Sequence, residues 1–116
     1  MATLTLTVQT TEQFKASALS ALNAGGDGGD AVHAFASAEL LFDLLTTNRL
    51  GVLRALCGVG AIGLRELARR VERDPTGVLR DVKALTDAGV LRRSEDGKVS
   101  LGFDAVHVDC TLEAAA

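Results

Sequence analysis

Eight cations and two small residues between positions 65 and 98 have types and spacing suited to binding a polyanion. They are Arg65, Arg69, Arg73, Thr76, Gly77, Arg80, Lys83, Arg92, Arg93 and Lys98. Guanidinium and ammonium groups neutralise phosphate, a hydroxyl or helix-start amide can donate to it, and an arginine fork fits the two acceptors on a guanine edge. None of this breaks a covalent bond. Residues that could do so are few: His107 and Asp109 share a strand face with no nucleophile in view, and His33 is isolated. General acid–base catalysis needs a base set against a transferable proton. Cys57 and Cys110 stand far apart with no CxxC and no clustered histidines, which predicts no metal site and no disulfide framework. The chain therefore reads as a non-enzyme without cofactor or catalytic residues, with His107 a surface histidine and both cysteines ordinary buried thiols.

Two helices must position the cations. Leu64, Leu67, Ala68 and Val71 recur on one helical face, and Glu72-Arg73-Asp74 makes a short turn. Asp74-Pro75 is a helix start, an acceptor cap followed by proline at the first helical position. The second helix is expected over residues 75–88, with Val78, Val82 and Leu85 as its buried seam and Gly89 as its stop. Thr76, Gly77, Arg80, Asp81, Lys83, Ala84 and Asp87 are left on its exposed side. The separation of the two helices suits a helix-turn-helix, whose second helix fits the major groove of duplex DNA. Thr76, Gly77 and Arg80 would then face base edges, and Arg65, Arg69 and Arg73 would cross the backbone. Residues 90–101 follow as two strands around an Asp96-Gly97 turn, carrying Arg92, Arg93 and Lys98 along neighbouring phosphates. Helix, turn, helix and basic hairpin in that order predict a winged helix-turn-helix. Glu66, Asp81, Glu95 and Asp96 oppose an anion unless neighbouring arginines neutralise them, as Arg80 or Arg73 could for Asp81.

Elsewhere, Thr3 to Gln9 alternates threonine with Leu4, Leu6 and Val8, a strand pattern. Thr10 or Thr11 can cap a helix reaching about Ala24, with Phe14, Ala18, Leu19 and Leu22 at helical spacing. Gly25 to Asp30 reads as a flexible linker; a phosphate cradle there would lack a following Lys-Ser/Thr and would carry two aspartates. Val32 to Phe35 reads as a short strand and Ser37 as the cap of a helix with Leu41, Leu44 and Leu45 as its stripe. Thr46-Thr47-Asn48 interrupts the pattern before a helix from Arg49 to Cys57. Ala105 to Leu112 alternates again, with Val106, Val108, Cys110 and Leu112 expected on the buried face. The fold class expected is α+β: a winged helix-turn-helix over 31–103, an N-terminal strand-helix extension and linker over 1–30, and a C-terminal strand and tail over 104–116.

The chain has 116 residues, enough for one modest core. Trp and Tyr are absent and only four Phe occur, so Leu, Val and Ala must fill it. The formal charge of −3 conceals an asymmetry. From Arg49 to Lys98 there are eleven Lys/Arg against seven Asp/Glu, a balance of +4; the rest has one against eight, a balance of −7. Positive charge gathered in one half is the footprint of a chain that meets phosphate through that half. No apolar run reaches the roughly 18 residues of a membrane span, and the first residues lack a signal-peptide pattern. These features predict a cytoplasmic protein with no membrane partner.

The stretch Asn48 to Leu101 resembles the MarR-like and ArsR-like winged-helix regulators, and among them a group of small predicted regulators of archaea and bacteria. The residues carrying the likeness are Arg49-Leu50 with Val52 to Leu56, Leu64 to Arg70, Arg80 to Leu85, Ala88 to Leu91, and Glu95-Asp96-Gly97. Asp104 to Asp109 is similar to that group's terminal strand, and the Thr/Leu alternation at the start to its leader. The resemblance implies transcription regulation, as a repressor, and an antitoxin-like role beside a toxin-like protein partner. Gly77 departs from the pattern, standing where a polar base-reading side chain is expected; specificity would then rest on Arg80 and DNA shape. The partners expected are double-stranded DNA and a second copy of the chain, a homodimer formed by the terminal strands and the helix over 11–24. The competing reading is a winged helix that binds protein, such as an antitoxin neutralising its toxin.

Overall fold

The computed structural model describes residues 2–8 and 29–112. The helix expected over 11–24, and the linker up to Gly28, lie outside the described residues. In chain order the elements are β1 (Thr3–Val8), β2 (Ala31–Phe35), α1 (Ala38–Leu44), α2 (Thr47–Leu56), α3 (Leu64–Arg70), α4 (Pro75–Asp87), β3 (Arg92–Arg93), β4 (Val99–Ser100) and β5 (Ala105–Asp109). This is an α+β fold.

The termini of the described chain are brought together by a sheet. β1 lies between β2 and β5 and runs parallel to both. The register sets Leu4 beside Ala31 and Val106, and Leu6 beside His33 and Val108. Because side chains alternate along a strand, Leu4, Leu6, Val8, Phe35 and Val106 face the helices, while the threonines take the other face. Leu4 and Leu6 are buried in the same apolar cluster as Leu41, Leu53, Leu67 and Val82. Asp104 clamps the end of the sheet: its carboxylate accepts the Ala2 N–H at 2.9 Å, and its own N–H donates to the Ala2 carbonyl at 2.8 Å. β1 thus spends both edges within its own chain, which corrects the expectation that this strand pairs with a second copy. The last strand is shorter than its alternation suggested. Val108 and Leu112, expected on the buried face, are 41% and 74% exposed, because β5 ends at Asp109 and is an edge strand.

Local chemistry explains the helix boundaries. Ser37 caps α1 by accepting the Leu40 N–H at 3.2 Å, and Thr46 caps α2 by accepting the Arg49 N–H at 3.2 Å. The interruption at Thr46 is therefore the start of a helix as well as the end of one. α3 and α4 both close with paired backbone bonds of the Schellman type. At α3, Arg73 N–H donates to Ala68 O at 3.0 Å and Glu72 N–H to Arg69 O at 3.2 Å. At α4, Val90 N–H donates to Leu85 O at 2.9 Å and Gly89 N–H to Thr86 O at 3.0 Å. The motif requires a left-handed residue, which is Glu72 (φ 56°) in the first case and Gly89 (φ 86°) in the second.

Gly89 carries a second constraint. A Cβ there would lie 3.1 Å from Cε1 of His33, whose ring also meets Phe35 edge-on at 5.0 Å. Gly89→Ala should therefore lower the free energy of unfolding in urea by about 1 to 3 kcal/mol. Glu72→Gly, at the equivalent position of the other motif, should raise it by about 0.5 to 1 kcal/mol.

Candidate functional site

α4 is built with two unlike sides. Val78, Val82 and Leu85 are fully buried against the core, as the helical spacing predicted. Asp74 caps the helix, its carboxylate accepting the Thr76 N–H at 3.1 Å, and Pro75 occupies the first turn. The opposite side presents Thr76, Leu79, Arg80 and Lys83 to solvent, at positions i, i+3, i+4 and i+7, one helical stripe. Leu79 was missing from the sequence-based surface. It is 37% exposed, and its place in the stripe beside Thr76 and Arg80 is the signal that could have found it.

Asp81 is the main correction. It was expected on the exposed side, yet it is 7% exposed and lies under two arginines. Arg49 Nε donates to its Oδ1 at 3.1 Å, and Arg73 Nη1 donates to its Oδ2 at 2.8 Å. The same Arg49 reaches back to the end of α1, donating from Nη1 to the carbonyls of Leu44 at 3.0 Å and Asp43 at 3.2 Å. Arg73, expected among the backbone-crossing cations, thus has its guanidinium committed to a carboxylate. Its course also explains Gly77. A Cβ at that half-buried position would lie 3.2 Å from Arg73 Nη2, so a larger residue would press on a guanidinium that Asp81 holds in place.

On α3, Glu66 occupies two of the arginines. Its carboxylate accepts from Arg70 Nε at 3.2 Å and from Arg69 Nη2. The hydrogen bond from Arg70, then the charge of Arg69, hold the Glu66 carboxyl below its ordinary range. Arg65 is exposed on the same helix. Among the described residues no ion pair involves Arg65, Arg80, Lys83, Arg92, Arg93 or Lys98.

The hairpin is narrower than the sequence implied. β3 and β4 pair over only two residues each, Arg92 with Ser100 and Arg93 with Val99. Its tip closes on Ser94, whose N–H donates to Lys98 O at 2.9 Å and whose carbonyl accepts the Gly97 N–H at 2.9 Å. Gly97 takes a left-handed φ of 83°. A hydrogen bond from Ser94 Oγ holds the Asp96 carboxyl below its ordinary range. Residue Ile62, just before α3, anchors the hairpin through reciprocal bonds with Val99 at 3.0 and 2.8 Å. Arg92 and Arg93 project from this anchored ribbon into solvent, as does Lys98.

The remaining reactive groups are apart from this surface. Cys57 and Cys110 are free and half-buried rather than fully buried. Burial, then the carboxylate of Asp104, push the Cys57 thiol up, away from the thiolate a nucleophile needs. His107 and Asp109 are exposed on β5. No group of three or more metal-ligating side chains occurs among the described residues, and no helix among them is long and apolar enough to cross a membrane.

Removing the Asp81 carboxylate leaves two arginines facing each other with no counter-charge. Asp81→Ala should cost about 3 kcal/mol of unfolding free energy, at the lower end for a broken buried pair because both arginines keep some water contact. Combined with Arg73→Ala, it should cost less than the sum of the two single losses, read from urea unfolding of all four members of the cycle.

No curated protein and no solved structure matches the chain. The HVO_A0114 family model matches residues 44–108, from the last residue of α1 into β5 and thus across α3, α4 and the hairpin. That span is more than half of the chain, which therefore belongs to the HVO_A0114 family.

Proposed function

We propose that this chain is a transcription regulator, acting as a repressor, that binds double-stranded DNA sequence-specifically as a homodimer. In this reading residues 31–103 form a winged helix-turn-helix of the kind found in MarR-like and ArsR-like regulators. α4 enters the major groove and the β3–β4 hairpin is the wing. The observation that carries the reading is the solvent-facing stripe of α4. Thr76, Leu79, Arg80 and Lys83 project from a rod whose other side is fixed by Val78, Val82 and Leu85. A groove the width of a helix can accept such a rod.

The roles follow from position. Arg80, with no ion pair among the described residues, is the candidate for a two-pronged contact with guanine O6 and N7. Thr76, at the start of α4, is suited to a phosphate. Lys83, Arg65, Arg92, Arg93 and Lys98 add non-specific phosphate affinity. Arg73 acts by shaping the turn through Asp81, its guanidinium filling the space beside Gly77. Glu66 and Asp81, whose charges argued against an anion partner, are both offset by arginines. The acidic wing tip, Glu95 and Asp96, would be held off the duplex, with Arg92, Arg93 and Lys98 alongside it.

Binding to duplex DNA over a range of salt tests the reading. The logarithm of affinity should fall steeply and linearly with the logarithm of salt concentration. A slope near zero would discard it in favour of a protein-binding module of antitoxin type. On a duplex selected from a random pool, Arg80→Ala should cost about 1 to 3 kcal/mol and flatten base preference. Arg92→Ala or Arg93→Ala should weaken all sequences alike and reduce the salt slope by about one. Equal loss on every sequence for Arg80→Ala would remove Arg80 as a reader.

A further inference from the structure

The three-stranded sheet ends, among the described residues, on two edge strands, β2 and β5. An open edge presents unpaired backbone donors and acceptors and is either protected or paired. The two edges differ. On β2, His33 and Phe35 turn inward, His33 packing on Gly89, and the exposed Val32 lies on the opposite face of the sheet from the helices. Beside β5 runs an open groove of about 180 Å³ lined by Leu50, Leu53, Arg54, Cys57, Val106 and Val108. Leu50 and Val108 are exposed there. β5 thus combines a backbone edge with apolar surface next to it.

We infer that β5 is the seam of a two-fold dimer, pairing antiparallel with β5 of a second copy in a register centred on Val108. The sequence of the strand is self-complementary in that register and in no adjacent one. Val108 meets its own symmetry mate, Val106 meets the partner's Cys110, and His107 meets the partner's Asp109, imidazole against carboxylate, twice across the axis. Centred on His107 instead, the strand would set histidine against histidine and Asp109 against an alanine. A two-fold interface uses the same patch on both copies, so a strand that complements itself in shape and charge fits a second copy better than an unrelated partner. The two sheets then join into one continuous sheet of six strands. The inference deepens the homodimer part of the proposed function and is independent of its DNA-binding part.

Analytical ultracentrifugation of the full chain without DNA tests it. The chain should sediment as a dimer at micromolar concentration, and Val108→Lys, at an exposed position, should sediment as a monomer with an unchanged far-UV circular dichroism spectrum. His107→Asp should weaken the dimer roughly tenfold, and adding Asp109→His, which restores the opposed pair with its members exchanged, should recover it. In a Cys57→Ala/Cys110→Ala background, Val108→Cys should form a disulfide-linked dimer on mild oxidation, since directly opposed residues of an antiparallel pair lie within bridging distance. A monomeric wild type, a dimer indifferent to Val108→Lys, or charge reversal without rescue overturns the seam. A monomer that still binds duplex DNA would overturn the seam alone; a dimer with no affinity for duplex would overturn the DNA-binding reading alone.

Discussion

Asp81 sits where α4, α2 and the turn before α4 converge, and its carboxylate is shared by Arg49 and Arg73. Removing a charge from water is costly, and the cost is offset only when donors saturate the group with good geometry. Here both oxygens are used, one by each arginine. The consequence is rotational. α4 can be held to the core by its valines over a range of angles about its own axis, but it can satisfy Asp81 at only one of them. At that angle Thr76, Leu79, Arg80 and Lys83 face away from the protein. The ion triad thus fixes which side of the helix is presented, while the apolar seam supplies most of the attachment.

Arg49 extends the same constraint to the other end of the domain. By donating to the last carbonyls of α1 as well as to Asp81, it satisfies groups that a short helix leaves without partners. It thereby ties α1 to α4. Since α1 contributes Leu41 to the cluster that receives Leu4 and Leu6, sheet and helices share one core. The hairpin joins the same body through Ile62 and Val99. Its arginines are carried on an anchored ribbon rather than on a free loop, which suits a surface whose proposed task is to lie along a phosphate backbone.

Much of this architecture was legible because local chemistry and global packing agree. The Asp74-Pro75 start, the Gly89 stop and the Val78, Val82, Leu85 spacing each point to α4 independently, and all three hold. The hairpin was legible from Asp96-Gly97, though its ladder is short, because the strand after Arg93 turns at once through Ser94. Asp81 was misplaced for a clear reason. Helical spacing puts it at the border between the buried and exposed sides, and only a partner from a distant element decides which way such a residue goes. Arg49, 32 positions away, gives no sign in its own neighbourhood that it is that partner. Gly77 was read as a gap in a base-reading surface. Arg73 beside it gives the glycine a steric reason.

The linear sequence by itself determined the elements: which segments are helical or extended, where caps begin them, which faces are apolar, and that positive charge gathers between Arg49 and Lys98. These follow from interactions reaching only a few residues along the chain. Tertiary structure alone decided that β1 pairs with β2 and β5 in parallel, that Asp81 is buried between two arginines, and that Val108 and Leu112 remain at the surface. Strand order and ion pairing join residues separated by tens of positions or more. Their energies depend on geometry and on exclusion of water, neither of which exists until the core has formed.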